Sequence, residues 1–340
     1  MLYRFWVIIQ MDYGPCQIHI FQSVASLIVI LFTLLDWHIS LCYSSRVHFW
    51  RRVQHERIAE NVYFFQSDLY AQVTAGVVTG PEMAVLIDTL ALPEESHQLR
   101  RFIERELRVP VRYVINTHYH ADHSWGTCFF PNATVIAHEQ CYEYLRTRGR
   151  GALEAEKKEN AQLREVEINL PSLTFDRGEL TLQVGKKTLT IFPFPGHSDD
   201  SIAVLIEEDR VLFCGDTFMT LPTLVDGNID DMTASLKKLT KMGLENLVPG
   251  HGDIVLRGEI DAAVRSNLNY LNEIRKVVRK SSKRRYPLDV LEATHVEDCG
   301  KSRVLIAGLA EQLHHRNLIA LYRQFYNKVP EGSELYYEMH

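Results

Sequence analysis

The chain has 340 residues, of which 46% are hydrophobic, and a formal net charge of −6. That length and apolar content suffice for one large core, or a core with an appendage, and the acidic balance argues against a general nucleic-acid binder. The six cysteines (Cys16, Cys42, Cys128, Cys141, Cys214 and Cys299) form no CxxC pair or zinc-finger spacing, so a reducing, cytoplasmic setting is expected rather than a disulfide framework.

Residues 1–50 differ from the rest. Ile18 to Leu35 is almost wholly apolar, broken near its start by His19, Gln22 and Ser23, a marginal length for a membrane span. Arg4 is the lone positive charge before it and Asp12 opposes that charge, which makes a poor secretory n-region. Arg46, Arg51 and Arg52 follow, a placement that keeps the remainder in the cytoplasm. The stretch reads as a signal-anchor with membrane association through residues 18–35, as a cleaved export signal, or as a non-native extension. A catalytic domain is expected over 53–256 and a helical extension over 257–340.

Short strands with tight turns are predicted first, at Val62–Phe65, Ala75–Val78 and Ala84–Ile87. Pro93 opens a helix whose buried stripe is Leu99, Phe102, Ile103 and Leu107. The apolar run Val111 to Asn116 reads as a buried strand. It delivers His118-Tyr119-His120-Ala121-Asp122-His123, four potential metal ligands in six residues. Alternate residues of an extended loop project to one side, so His118 and His120 can converge on one ion, while Asp122 and His123 turn onward to a second. Imidazole with carboxylate suits zinc, iron or manganese.

Thr134–Ala137 is predicted as a strand, His138–Arg148 as a helix headed by a structural histidine, and 151–166 as a solvated helix or lid. Hairpins are expected at 180–194 and 201–214. Three further segments each follow an apolar, strand-like stretch: Pro195-Gly196-His197-Ser198, Cys214-Gly215-Asp216-Thr217 and Pro249-Gly250-His251-Gly252. Asp199 and Asp200 either support ligand histidines or cap a turn. Phe218, Met219, Leu221, Pro222 and Leu224 either line a pocket or pack on the core. Asp230 or Asp231 is expected to cap a helix carrying Leu236, Leu239 and Met242. Beyond His251 the chain reads as helical, with a stripe of Val264, Leu268, Leu271, Ile274 and Val278 and with His314 and His315 on a helix surface. The basic run 279–285 reads as a solvated helix end. No phosphate loop or repeat appears.

The run at 118–123, with Asp88 in Val85-Leu86-Ile87-Asp88-Thr89 and with His197, Asp216 and His251, resembles the HxHxDH pattern of the metallo-β-lactamase superfamily over about residues 57–256. The resemblance implies an α/β (α+β) fold, a four-layer αββα sandwich with a C-terminal helical extension. It implies two divalent metal ions, zinc first with iron or manganese as alternatives. His118, His120 and His197 would hold one, Asp122, His123 and His251 the other, and Asp216 would bridge them. Asp122 and Asp216 are the catalytic carboxylates by the same resemblance, and Asp88 is structural. The implied chemistry is attack of a metal-bridging hydroxide on an ester, thioester or lactone carbonyl of a small-molecule substrate. Aspartate at 216 matches the thioesterases and lactonases, where the β-lactamases carry cysteine or serine. The alternatives are β-lactam hydrolysis and an iron-dependent persulfide dioxygenase on the same scaffold. Tyr70, on a loop that often overhangs the site in this superfamily, and Trp125, beside the ligand run, are candidates to touch substrate or to pack.

Overall fold

The structure, a computed structural model, describes residues 53–330, 332 and 333; the apolar run at 18–35 and the rest of the first fifty residues lie outside them. Thirteen strands among the described residues form two mixed sheets. In the first, β1 (Gln54–Ala59), β2 (Val62–Gln66), β3 (Thr74–Thr79) and β4 (Ala84–Ile87) run as an antiparallel meander. β5 (Val111–Ile115), β6 (Thr134–His138) and β7 (Leu173–Phe175) add parallel to it. In the second the order is β13 (Val255–Leu256), β12 (Asn246–Val248), β11 (Val211–Phe213), β10 (Ile202–Ile206), β9 (Lys187–Pro193) and β8 (Leu180–Val184). Only the β11–β12 pair is parallel.

The layers follow from which faces are apolar. Val62, Phe64, Val78 and Val85 of the first sheet meet Leu189, Ile191, Val204 and Phe213 of the second in one buried cluster, so the sheets pack face to face. The outer face of the first sheet is covered by α1 (Pro93–Arg101) through Leu99, with Ile103 just beyond its end, and by Leu153 of α4 (Arg150–Glu159). Between them in the chain lie the short α2 (Ala121–Ser124) and α3 (Glu139–Tyr144). The outer face of the second sheet carries α5 (Ile229–Leu239), α6 (Arg257–Ser281), α7 (Pro287–Glu292) and α8 (Ala310–Tyr326). This is the αββα sandwich. The C-terminal helices share a single apolar cluster with Ala203, Leu212 and Leu247 of the second sheet. No helix among the described residues is long and apolar enough to cross a membrane.

Two local expectations need correction, and one open alternative is resolved. The cap of α5 is Asn228, whose side chain accepts the amides of Asp230 and Asp231, so those acids stand in the first turn instead. His314 is fully buried rather than on the helix surface, because its Nδ1 meets the Tyr270 hydroxyl at 3.0 Å and its Nε2 meets the Thr294 carbonyl at 3.2 Å. Phe218, Met219, Leu221 and Leu224 are buried in the core of the second sheet, so that loop supports the site from beneath.

Candidate metal centre

All seven predicted donors lie beyond the C-terminal ends of strands at one edge of the sandwich. His118, His120, Asp122 and His123 follow β5; His197 follows β9, Asp216 follows β11 and His251 follows β12. The β5 loop starts extended and turns helical at Ala121. His118 and His120 therefore point together, their Nε2 and Nδ1 atoms 3.1 Å apart, and His197 Nε2 lies 2.8 Å from that same Nδ1. Asp122 and His123 point the other way. Asp122 Oδ2 lies 3.1 Å from His251 Nε2 and 3.9 Å from His123 Nε2.

Asp216 faces both groups with different oxygens. Its Oδ2 is 3.5 Å from His197 Nε2 and 3.9 Å from His118 Nε2, while its Oδ1 is 3.2 Å from His123 Nε2 and 3.5 Å from His251 Nε2. Gly250 makes this position available: a Cβ there would collide with Asp216 Oδ1 and with the Gly215 backbone.

Each imidazole has its other nitrogen occupied, which fixes ring orientation and tautomer. Asp88 Oδ2 meets His123 Nδ1 at 2.8 Å and accepts the Thr117 hydroxyl at 2.7 Å, and Thr117 in turn meets His118 Nδ1 at 3.1 Å. His197 Nδ1 meets the Thr223 hydroxyl at 2.7 Å, and His251 Nδ1 meets the Ala71 carbonyl at 2.8 Å. His120 is held by Asp226, whose Oδ2 lies 3.0 Å from Nε2 and also accepts the Tyr119 hydroxyl. Arg148 lies over the Tyr144 ring at 4.1 Å and beside Tyr119. Asp200 is buried and accepts the Tyr119 amide at 2.8 Å, so it supports the β5 loop through backbone between His118 and His120.

The donor set fits divalent cations on this structure's own atoms. His123 Nε2 and Asp216 Oδ1 are buried and satisfied by no hydrogen bond, which is costly unless a further partner completes them. Burial drives the His118 imidazole well below its ordinary pKa and His197 down to about 4, so both present neutral nitrogen. Burial opposes charge on His251 as well, yet Asp216 and Asp122 hold it up to about 10. Protons on His251 and His123 thus stand in for positive charge that the two buried carboxylates demand. The donor atoms of His118, His120, His197 and Asp216 all lie within 4.8 Å of one another, as do those of Asp122, His123 and His251.

Other candidates fall elsewhere. Trp125 is buried in the first sheet's outer core. His138 caps α3 by accepting the Gln140 amide. Cys214 is buried and donates to the Val248 carbonyl, with burial pushing its thiol up. Tyr70 is 47% exposed, and its hydroxyl is pushed up to about 12, first by the charge of Asp122. No local pattern marks Asp226, which lies 106 positions from His120 in an ordinary turn before a helix.

A model of the metallo-beta-lactamase superfamily matches residues 70–251, the span that contains every donor. The chain is 29% identical over 192 residues to the 2,4-dinitroanisole O-demethylase subunit alpha of a Nocardioides species, covering 54% of each chain. It is 27% identical over 176 residues to the thioesterase pkgB of Emericella nidulans, covering 51% of this chain and 43% of that one. The chain thus spans about half the length of these curated relatives. Among solved structures, a metallo-beta-lactamase from Pontibacter korlensis superposes with a TM-score of 0.50 at 20% identity, covering 63% of this chain and 98% of that one; this likeness bears on the fold alone. Sandwich, donor geometry and family match agree, and the chain belongs to the metallo-beta-lactamase superfamily.

Proposed function

We propose that the chain is a dinuclear-metal-dependent hydrolase of ester, thioester or lactone carbonyls. His118, His120 and His197 would hold one divalent cation, and Asp122, His123 and His251 the other. The observation that carries the reading is Asp216, which turns one oxygen toward each histidine group. Two cations held there would supply Lewis acidity and a bound water acidified toward neutrality. The chain's own residues do the rest. Asp88, Thr223, Asp226 and the Ala71 carbonyl lock the histidine rings, so little reorganisation is needed during reaction. Burial would raise the Asp122 carboxyl, but His123 and His251 hold it down at about 2, so it stands ionised among the donors of the second group. A carboxylate at 216 in place of a thiolate, together with likeness to a thioesterase, favours acyl esters and thioesters over β-lactam amides.

The test is a hydrolysis panel of a thioester, a lactone, a phosphodiester and a cephalosporin, run on protein of measured metal content. Turnover of thioester or lactone with about two metals per chain is the expected result. One iron per chain with oxygen uptake on a persulfide would overturn the reading in favour of a dioxygenase.

A further inference from the structure

The loop that follows Asp216 carries Thr223, and Thr223 holds His197. His197 turns Nε2 toward the other donors, 2.8 Å from His120 Nδ1, so a neutral ring must carry its proton on Nδ1. That nitrogen faces the Thr223 hydroxyl oxygen at 2.7 Å and the Thr223 carbonyl at 3.2 Å. With Nδ1 donating, the hydroxyl proton is left for Met219 Sδ at 3.5 Å, in the same loop. The backbone of residues 219–224 therefore sets the plane of the His197 ring.

Four backbone groups of this loop find their partners on three side chains of the C-terminal extension. Asn267 of α6 donates Nδ2 to the Met219 carbonyl at 2.8 Å. Lys301, in the segment before α8, donates Nζ to the Thr220 carbonyl at 2.7 Å, to the Ser266 hydroxyl at 2.9 Å and to Asn267 Oδ1 at 2.7 Å, so each of its three protons has an acceptor. Asn317 of α8 donates Nδ2 to the Pro222 carbonyl at 2.7 Å and accepts the Leu224 amide on Oδ1 at 2.7 Å. Its other Nδ2 proton goes to the Tyr270 hydroxyl at 3.0 Å, and that hydroxyl meets His314 Nδ1 at 3.0 Å. All three side chains are buried.

Burying two amides and an ammonium is costly unless their polar atoms are paired. Helices that only covered the second sheet would do so with apolar side chains, as Ile260, Val264, Leu271 and Ile274 do. A hydrogen bond, unlike apolar contact, has a direction and a narrow length. Four of them on one short loop fix where its backbone lies.

We infer that Asn267, Lys301 and Asn317 are positioning residues for His197: the C-terminal extension, which lies beyond the family match at 70–251, grips the loop that holds this imidazole. The helices are thus a working part of the first donor group as well as a cover for the second sheet. Their effect on a bound cation rests on the metal-dependent reading above; the fixing of the ring does not.

The experiment uses full-length protein as wild type, Thr223→Val, Asn317→Asp, Asn267→Ala and Ile274→Ala. Chelator competition on zinc-loaded protein resolves the two binding steps. Nitrogen NMR of labelled histidines reads the His197 ring with and without zinc. Thr223→Val removes the ring's acceptor and weakens one step about 10- to 100-fold, which marks that step as the first group's. Asn317→Asp keeps the size and the acceptor for Leu224 but sets an oxygen against the Pro222 carbonyl. It and Asn267→Ala weaken the marked step about 3- to 10-fold, less than a direct partner because they act through the loop, and spare the other step. Both also release the His197 Nδ1 proton, protected from exchange in zinc-free wild type. Ile274→Ala leaves a cavity in the same apolar cluster and lowers the melting temperature without moving either readout. Asn267→Ala keeps the test in force if the aspartate variant fails to fold. If wild type binds no zinc but its Nδ1 proton is protected and the variants release it, the positioning stands and the metal-dependent reading falls. If the folded variants keep both zinc steps and the Nδ1 signal, or if Ile274→Ala weakens the marked step as much as they do, the inference is refuted.

Discussion

Asp226→Ala tests whether the support of His120 lies where the structure places it. His120 turns Nδ1 toward the other donors, so a neutral ring must carry its proton on Nε2, 3.0 Å from Asp226 Oδ2. Removing the carboxylate frees the ring to rotate and to take the wrong tautomer. Loss of such a partner typically weakens metal binding about 10- to 100-fold. The Asp226 side chain keeps 35% of its surface in water, which screens its charge and puts the loss near the lower end, about tenfold. Asp226→Asn retains an acceptor and should lose less. Tyr119→Phe removes only the phenol that shares the same oxygen and should lose least. The assay is competition with a chromophoric chelator on metal-loaded protein, with circular dichroism melting as a fold control. The more weakly held cation should be the one at His118, His120 and His197. Unchanged retention of both cations in folded Asp226→Ala would refute the argument.

Asp216→Ala is expected to lose the second cation first and activity with it, by more than the about 10- to 100-fold of supporting residues, with Asp200→Ala as the comparison; two retained metals and near-normal turnover in Asp216→Ala alone would remove the bridge. Gly250→Ala should displace Asp216 and lower metal stoichiometry, whereas Gly258→Ala, with nothing within 4 Å of its added Cβ, should raise the melting temperature through about 0.5–1 kcal/mol of reduced backbone freedom. Lys301 is buried against the Thr220 carbonyl, Ser266 and Asn267, and burial lowers its pKa from 10.5 to about 8. The folded state therefore binds fewer protons than the unfolded one between pH 8 and 10.5, and stability contributed at this site should rise across that window, by on the order of 3 kcal/mol. Denaturant titrations of wild type against Lys301→Met isolate the effect, and parallel pH profiles would sink it. A chain beginning at Val53 is expected to fold and turn over substrate; insolubility or inactivity would show that the preceding residues are needed.

The candidate donors at 118–123 were legible because four ligand-type side chains crowd into six residues just beyond a strand, while His197, Asp216 and His251 were reached only through the family pattern. Period-two and period-3.6 patterns likewise placed most strands and the helix at 257–281. What was illegible depended on distant partners. Asp226 reads as a turn residue until folding brings His120 to it. Glu95 reads as an acid suited to the first turn of a helix, although it is buried and holds Ser67 and the Asp68 amide. His314 sits at a polar-looking helix position, and only the Tyr270 hydroxyl explains why it is inside. Asn228 lost the capping assignment to its acidic neighbours because either type can cap, and only backbone geometry decides between them.

The donor groups straddle the two sheets. The β5 loop of the first sheet brings two histidines to one group and Asp122 and His123 to the other, while the second sheet contributes His197, Asp216 and His251. Neither sheet alone can complete either group. Cations bound there would act as rivets across the open edge of the sandwich, recognising only the assembled pair. Their mass action then becomes mechanical: each tenfold excess over the dissociation constant adds about 1.4 kcal/mol against parting the sheets at that edge. Chelation should accordingly quicken amide exchange first at the ends of β5, β11 and β12, well before the opposite edge of the sandwich responds.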